Sequence, residues 1–114
     1  MRFFRSERVS SLIREKLSRI LLEEVEVPDA LITITDVEVK KDLDRAMVKV
    51  SVMPSEKEAE VLKILSKLAP KLQFILMREI NIKPMPRLVF EIDRGPERAA
   101  NIEKKLLEDD NSNQ

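Results

Sequence analysis

Pro70 interrupts a long apolar pattern at helical spacing, and it restricts the fold of this 114-residue chain more than any other residue. Val61 and Leu65 mark a buried helical side before the proline, and Leu72 and Leu76 mark another after it. Because proline lacks an N–H and its ring clashes with the preceding turn, it ends one helix but suits the first turn of the next. We therefore expect two helical segments broken at residues 68–71. Apolar residues surround the second segment almost completely, which predicts that it is largely buried.

The remaining elements follow from the spacing of apolar residues. Residues 6–24 have the three-and-four spacing of an amphipathic helix. Residues 32–39 and 46–52 alternate with period two, which predicts an antiparallel hairpin. A change of phase near Thr35 predicts a bulge in the first strand. Residues 88–92 form a third strand.

The helix that precedes the break begins near Ser55, and Glu58 three residues later completes a capping box. The element order is therefore helix–strand–strand–helix–kink–helix–strand, an α+β fold with a three-stranded sheet packed on helices. The length is that of one domain. We expect residues 1–96 to form that domain and residues 97–114 to form a weakly helical to disordered C-terminal extension.

Charge is segregated along a chain whose formal net charge is zero. Residues 1–20 carry a net charge of +4 and residues 61–90 one of +5, whereas residues 21–60 carry −6 and residues 91–114 carry −3. Two basic segments separated by an acidic one can fold into a basic face, which attracts phosphates even on a neutral protein. The competing explanation is that these charges only solvate the surface, and the charged content of 37% supports it.

The composition excludes most catalytic chemistry. The chain has no His, Cys, Tyr or Trp, so it has no histidine or cysteine nucleophile–base pair and no zinc site built on those residues. A single glycine, Gly95, rules out a glycine-rich phosphate loop. Asp36, Asp42 and Asp44 could hold magnesium, but turn formation explains them more simply. We predict no enzyme activity, no cofactor and no metal.

No apolar run approaches the ~20 residues of a membrane span. The N-terminus also lacks the apolar region of a signal peptide. We therefore expect a soluble cytoplasmic protein with no membrane contact.

Four segments carry a resemblance to a known family: RSERV at residues 5–9, ITDVEV at 34–39, AMVKVSV at 46–52 and PRLVF at 86–90. The element order is that of a type II KH fold, whose members clamp nucleic-acid backbone at a GXXG loop that this chain lacks. The chain resembles instead ribosome-binding factor A, a bacterial family with a KH-like fold and a helix–kink–helix at that place. The resemblance covers about residues 5–107. It places Pro70 where the family's kink normally has glycine.

The resemblance implies a function that composition could not supply. It implies an assembly factor that binds the small (30S) ribosomal subunit and its 16S rRNA near the decoding region, during late maturation and 5′-end processing. It also implies a role in cold adaptation, assembly GTPases as further partners and a monomeric state. The family is not a nuclease, which agrees with the missing catalytic groups.

Candidate RNA contacts combine the charge pattern with this resemblance. The phosphate contacts are assigned to Lys63, Lys67 and Lys71, with Arg78, Lys83 and Arg87 extending the surface. The first helix contributes the weaker candidates Arg5, Arg8 and Arg14. Leu68, Ala69 and Pro70 form the kink, where Ala69 and Pro70 set the angle and allow close approach of the RNA. Ordinary solvation is the alternative explanation for each of the cations.

Two other functions remain open. One is a protein-interaction module that docks a basic partner through the acidic hairpin region, residues 36–44, or through the tail. The other is a sequence-specific reader of single-stranded RNA. The missing GXXG and missing exposed aromatics argue against it, since Phe90 is the only aromatic in a predicted strand and belongs to the core.

Overall fold

A computed structural model describes residues 2–40, 44–82 and 85–95, with side chains from residue 6 onward. The elements are helix α1 (Arg2–Glu24), strands β1 (Leu31–Val39) and β2 (Arg45–Met53), a 3-10 turn (Ser55–Lys57), helix α2 (Glu58–Glu79) and strand β3 (Arg87–Ile92). This order confirms the α+β class and the three-stranded sheet. The predicted C-terminal extension, residues 97–114, lies outside the described residues.

Helix α1 buries the stripe that its apolar spacing predicts. Ile13 and Leu17 are fully buried, and Val9 is almost so. The Ser10 hydroxyl accepts a hydrogen bond of 3.2 Å from the backbone amide of Val39, which ties this helix to the end of β1. The helix thus covers one face of the hairpin.

The sheet is mixed, with β2 in the centre. β1 and β2 are antiparallel, and their register shifts between Ile34 and Asp36, which confirms the predicted bulge at Thr35. The Thr35 hydroxyl donates a hydrogen bond of 2.6 Å to the carboxylate of Asp93, beyond the end of β3. β3 runs parallel to β2, and α2 provides the crossover that a parallel connection requires.

Helix α2 is continuous from Glu58 to Glu79 with Pro70 inside it, so the predicted break at residues 68–71 is wrong. Leu65 before the proline and Leu72 after it are both fully buried in one core, and this packing offsets the missing backbone hydrogen bond. Pro70 and Ser66, whose carbonyl oxygen would accept from an amide at position 70, are both exposed. Water can therefore satisfy that carbonyl. The kink angle at Pro70 stays a prediction.

The second half of α2 is not largely buried, which corrects a second prediction. Leu72 and Leu76 face the core, but Phe74 between them is 56% exposed and Met77 is 46% exposed. The sheet and α1 pack against only part of the helix surface, so apolar residues on the remaining side are left in water.

The predicted capping box at the start of this helix is also wrong. A 3-10 turn occupies residues 55–57, and no side-chain cap bond forms there. Glu58 is buried instead, with its carboxylate oxygen 2.8 Å from the guanidinium of Arg94. The positive charge of Arg94 compensates a carboxylate that has been removed from water, so the Glu58 side chain takes part in an ion pair and not in a cap. Neither described helix combines the length and apolar character of a membrane crossing.

Candidate nucleic-acid interface

The solvent-facing side of α2 brings four of the predicted RNA contacts together. Lys63, Lys67, Lys71 and Arg78 are all exposed, and we call these four residues the basic face. Steps of 100° per residue place them within about 80° of one another around the helix axis, opposite the buried leucines. Because the helix is continuous, these four cations form one surface. A break at Pro70 would divide them between two helical segments.

The acidic groups next to the basic face are already paired. Glu79, the one acid among residues 61–90, accepts a hydrogen bond from the guanidinium of Arg19 on α1. This bond and the charge of Glu79 raise the pKa of Arg19 further above its usual range. Lys71 lies 3.2 Å from the carboxylate of Glu24, yet its side chain stays 61% exposed. A pair this exposed contributes little stability, so a phosphate can compete for the lysine.

An open groove runs between α2 and the start of β3. Its lining residues are Ser66, Ala69, Pro70, Gln73, Phe74, Met77, Arg87 and Leu88. The Gln73 side-chain oxygen accepts a hydrogen bond of 3.2 Å from the Leu88 backbone amide, which joins helix and strand along the groove. The groove is therefore built into the fold, with the basic face along one border and Arg87 in the opposite wall.

Arg45 is a further cation that the sequence analysis did not identify. It is the register partner of Arg87 in the parallel β2–β3 pair, and both arginines are exposed. Two like charges side by side repel each other, and an anion relieves that repulsion. No sequence signal pointed to Arg45, because its position next to Arg87 depends on the parallel register of β2 and β3. The sequence of one strand alone does not specify that register.

Phe74 is the second functional candidate that sequence reasoning missed. It lies where the basic face borders the groove, and the guanidinium carbon of Arg78 is 6.0 Å from the ring centroid. That distance is at the outer limit of a cation–π contact. The statement that the chain lacks exposed aromatics is therefore wrong. A helical wheel drawn through Pro70 places Phe74 opposite Leu65, whereas a wheel stopped at the proline does not.

Among the described residues, the structure does not join the other predicted cations into a common surface. Arg8 and Arg14 are exposed on α1, but six residues of helix separate them by about 120°, so they do not share a face. Lys83 and the side chain of Arg5 lie outside the described part of the chain. The assignment of these four residues to RNA stays a prediction.

The kink residues divide between core and groove. Leu68 and Ala69 are partly buried and pack against the core, whereas Pro70 is exposed. Ala69 and Pro70 line the groove, where their small side chains allow a ligand to approach the helix closely. Across residues 2–40, 44–82 and 85–95, no group of three or more acidic side chains is arranged to hold a metal ion.

Comparisons with known proteins match nearly the whole chain. The family model described as ribosome-binding factor A matches residues 5–106. The ribosome-binding factor A of Caldanaerobacter subterraneus is 36% identical over 108 residues, which cover 92% of this chain and 88% of the relative. That of Acetivibrio thermocellus is 39% identical over 107 residues, with coverage of 91% and 87%.

Solved structures agree with the sequence comparisons. The crystal structure of ribosome-binding factor A from Thermus thermophilus superimposes with a TM-score of 0.69 and 25% identity, over 79% of this chain and 97% of that one. A homology model of the Thermus thermophilus factor, fitted into the cryo-EM map of its 30S complex, matches with a TM-score of 0.57 and 31% identity. That match covers 72% of this chain and 92% of the other. Together these matches confirm the predicted resemblance and the KH-like fold.

Proposed function

Because the chain belongs to the ribosome-binding factor A family, we propose that it is an assembly factor that binds the small (30S) ribosomal subunit and its 16S rRNA. The proposed role covers late maturation of the subunit, processing of the 5′ end of its rRNA and growth in the cold. The protein acts in the cytoplasm as a monomer, with assembly GTPases as further partners. It works by binding and carries out no catalytic step.

The observation that carries this proposal is the basic face on α2. Its four cations are exposed, and Glu79, the one acid within residues 61–90, is held by Arg19. From Lys63 to Arg78 the helix rises about 22 Å, so the cations reach several phosphates along one RNA backbone. Contacts of this kind position a protein on RNA without reading its sequence. This suits a factor that recognises a folded particle.

Charge substitutions on the basic face test the proposal. The variant combines Lys63→Glu, Lys67→Glu and Lys71→Gln, with glutamine chosen because a glutamate at position 71 would face Glu24. We expect it to lose co-sedimentation with purified small subunits. The slope of log affinity against log salt should also become shallower by roughly 2 to 3, because three phosphate contacts disappear.

A matched control keeps the net-charge change the same but moves it off the basic face. It combines Lys16→Gln, Lys40→Glu and Lys49→Glu, which alter α1 and the hairpin. This control should bind small subunits as the wild type does and prefer them over large subunits. Unchanged sedimentation of the basic-face variant, with its circular dichroism intact, would contradict the proposal.

The alternative of a protein-interaction module at the acidic hairpin has less support. Glu38 lies 3.8 Å from Lys40, and Asp36 is the register partner of Lys49, so part of that acidic charge is balanced locally. A basic partner bound there would be insensitive to the basic-face substitutions. The two variants above therefore separate the alternatives as well.

A further inference from the structure

Phe74 lies exposed among cations, an arrangement that neither core packing nor phosphate binding requires. Resting on the proposed function, we propose that Phe74 is a stacking site for an unpaired base of the bound RNA. The basic face would hold the phosphates on either side of that nucleotide. The site is thus specific for a single-stranded element of the RNA rather than for duplex, whose bases are already stacked on one another.

The apolar surface at this site has the size and composition of a base platform. Phe74 is 56% exposed and Met77 is 46% exposed, and both line the groove together with Pro70. A base laid on the ring would cover an aromatic face that is now in water and meet the thioether of Met77 at its edge. Contacts between bases and aromatic rings tolerate any sequence, because every base has a π-face.

The charges around the ring decide which occupant fits. Lys67, Lys71 and Arg78 border Phe74 on α2, and Arg87 stands in the far wall of the groove. An apolar protein surface docked on Phe74 would have to desolvate several of these cations without pairing them, which is costly. A nucleotide pairs them with phosphate and presents an apolar base to the ring. Charge complementarity therefore favours a nucleotide over a protein.

Arg78 and Gln73, which lie next to Phe74, leave its ring accessible to a base. Arg78 lies 6.0 Å from the ring centroid, at the limit of a cation–π contact, so it can turn to a phosphate at little cost. Gln73 fixes the adjacent edge of β3 through its bond to the Leu88 amide. A groove formed before the ligand arrives costs less to bind than one that must be ordered.

Fluorescence of a Phe74→Trp variant tests the stacking directly, since the chain contains no tryptophan of its own. The probe is an oligouridylate of about eight nucleotides, a length within the usual site size for single strands. We expect the oligomer to quench the new tryptophan, and an abasic oligomer of the same length to leave it unquenched. The control is Leu22→Trp, at a site that is 82% exposed on the acidic end of α1, and it should show no quenching.

Affinity separates stacking from simple apolar contact. Phe74→Leu keeps an apolar side chain but removes the π-face, and it should weaken oligouridylate binding by roughly 5- to 100-fold. Phe74→Tyr keeps the ring and should bind within about twofold of the wild type. Wild-type affinity in the leucine variant, equal binding of the abasic oligomer, or no binding of oligouridylate by the wild type would each overturn the inference.

The same variants distinguish failure of this inference from failure of the proposed function. If the basic-face variant loses small subunits while Phe74→Leu binds oligouridylate normally, only the stacking site is wrong. If wild-type protein does not sediment with small subunits, the proposed function fails whatever the oligomer shows. A concentration-dependent elution volume that Phe74→Leu abolishes would assign the patch to a second copy of the chain and overturn the stacking site.

Discussion

Two open apolar grooves on this protein have similar volumes, about 560 Å³ between α2 and β3 and about 490 Å³ between α1 and β1. Each exposes large apolar side chains, Phe74 and Met77 in the first and Leu22 and Leu31 in the second. They differ in charge. The first has Arg87 in its wall and the basic face along its border, whereas among the described residues that line the second only Glu26 is charged.

The difference teaches that apolar exposure alone does not identify a site for RNA. A carboxylate beside exposed leucines repels a phosphate chain, although the leucines could contact its bases. Lysines and arginines around an exposed phenylalanine attract the chain, and the ring then offers a surface to the base. The Glu24–Lys71 ion pair lies at the boundary, with its acid on α1 and its lysine on the basic face. The two regions can be compared by substitution.

The largest effect should come from the core beneath the basic face. Leu72 is fully buried, so Leu72→Ala leaves a cavity and should lower the free energy of unfolding by about 2–5 kcal/mol. Leu22→Ala, in the other groove, should change it by less than about 0.5 kcal/mol, because that leucine is mostly in water. Urea denaturation followed by circular dichroism measures both. Similar losses for the two variants would contradict the burial that separates the regions.

The next largest effect concerns Pro70, since α1 has no proline and α2 has one in its interior. Pro70→Ala restores an amide that can bond to Ser66, and should raise the free energy of unfolding by about 1–3 kcal/mol. Part of the gain is lost because alanine leaves the unfolded chain more freedom. Urea denaturation provides the test. An unchanged or lower stability would mean that the helix has adapted its packing to the proline.

Pro70 also shows how far the sequence can predict this fold. The apolar spacing of residues 61–76 was sufficient to find the helix, and period two with a change of phase was sufficient to find the hairpin and its bulge at Thr35. The local rule that proline ends a helix predicts a break, and the helix is continuous. The cost of the proline is about 3 kcal/mol, and burial of leucines on both sides of it outweighs that cost. A rule based on neighbouring residues cannot include the free energy of that tertiary packing.

The site, like the fold, was predicted only where it depends on a pattern within one element. Lysines and arginines found from charge segregation do come together on α2, because a helical repeat is visible in the sequence. Phe74 was missed because the assumed break removed the helical phase that places it opposite Leu65. Arg45 was missed because it depends on the parallel pairing of β2 with β3, a contact between strands far apart in the chain.

A third prediction concerns variants that add positive charge to the second groove. In the background of the basic-face variant, Leu22→Lys and Glu26→Lys should raise affinity for oligouridylate by roughly 3- to 10-fold, with a steeper salt dependence. The gain should be equal for the abasic oligomer, because none of the described residues that line that groove is aromatic. Fluorescence anisotropy of labelled oligomers measures both. A preference for the oligomer with bases would show that apolar contact without a ring is enough, and would remove the distinction between the grooves.

The smallest expected effect is at Arg19, which holds Glu79 away from the basic face. Arg19→Met keeps much of the side-chain length but frees that carboxylate, and should weaken binding to small subunits by about threefold. The double variant with Glu79→Gln should restore wild-type affinity, because it removes the freed charge.

The pH dependence of the Arg19 substitution follows from the raised pKa of its guanidinium. The contribution of the pair is complete below the unfolded pKa of the arginine and is lost only as pH rises through the higher folded value. The threefold effect should therefore be the same at about pH 6 and about pH 9. If the single variant binds as the wild type at both values, Glu79 does not limit the basic face. The face would then owe its charge contrast with the second groove to its own cations alone.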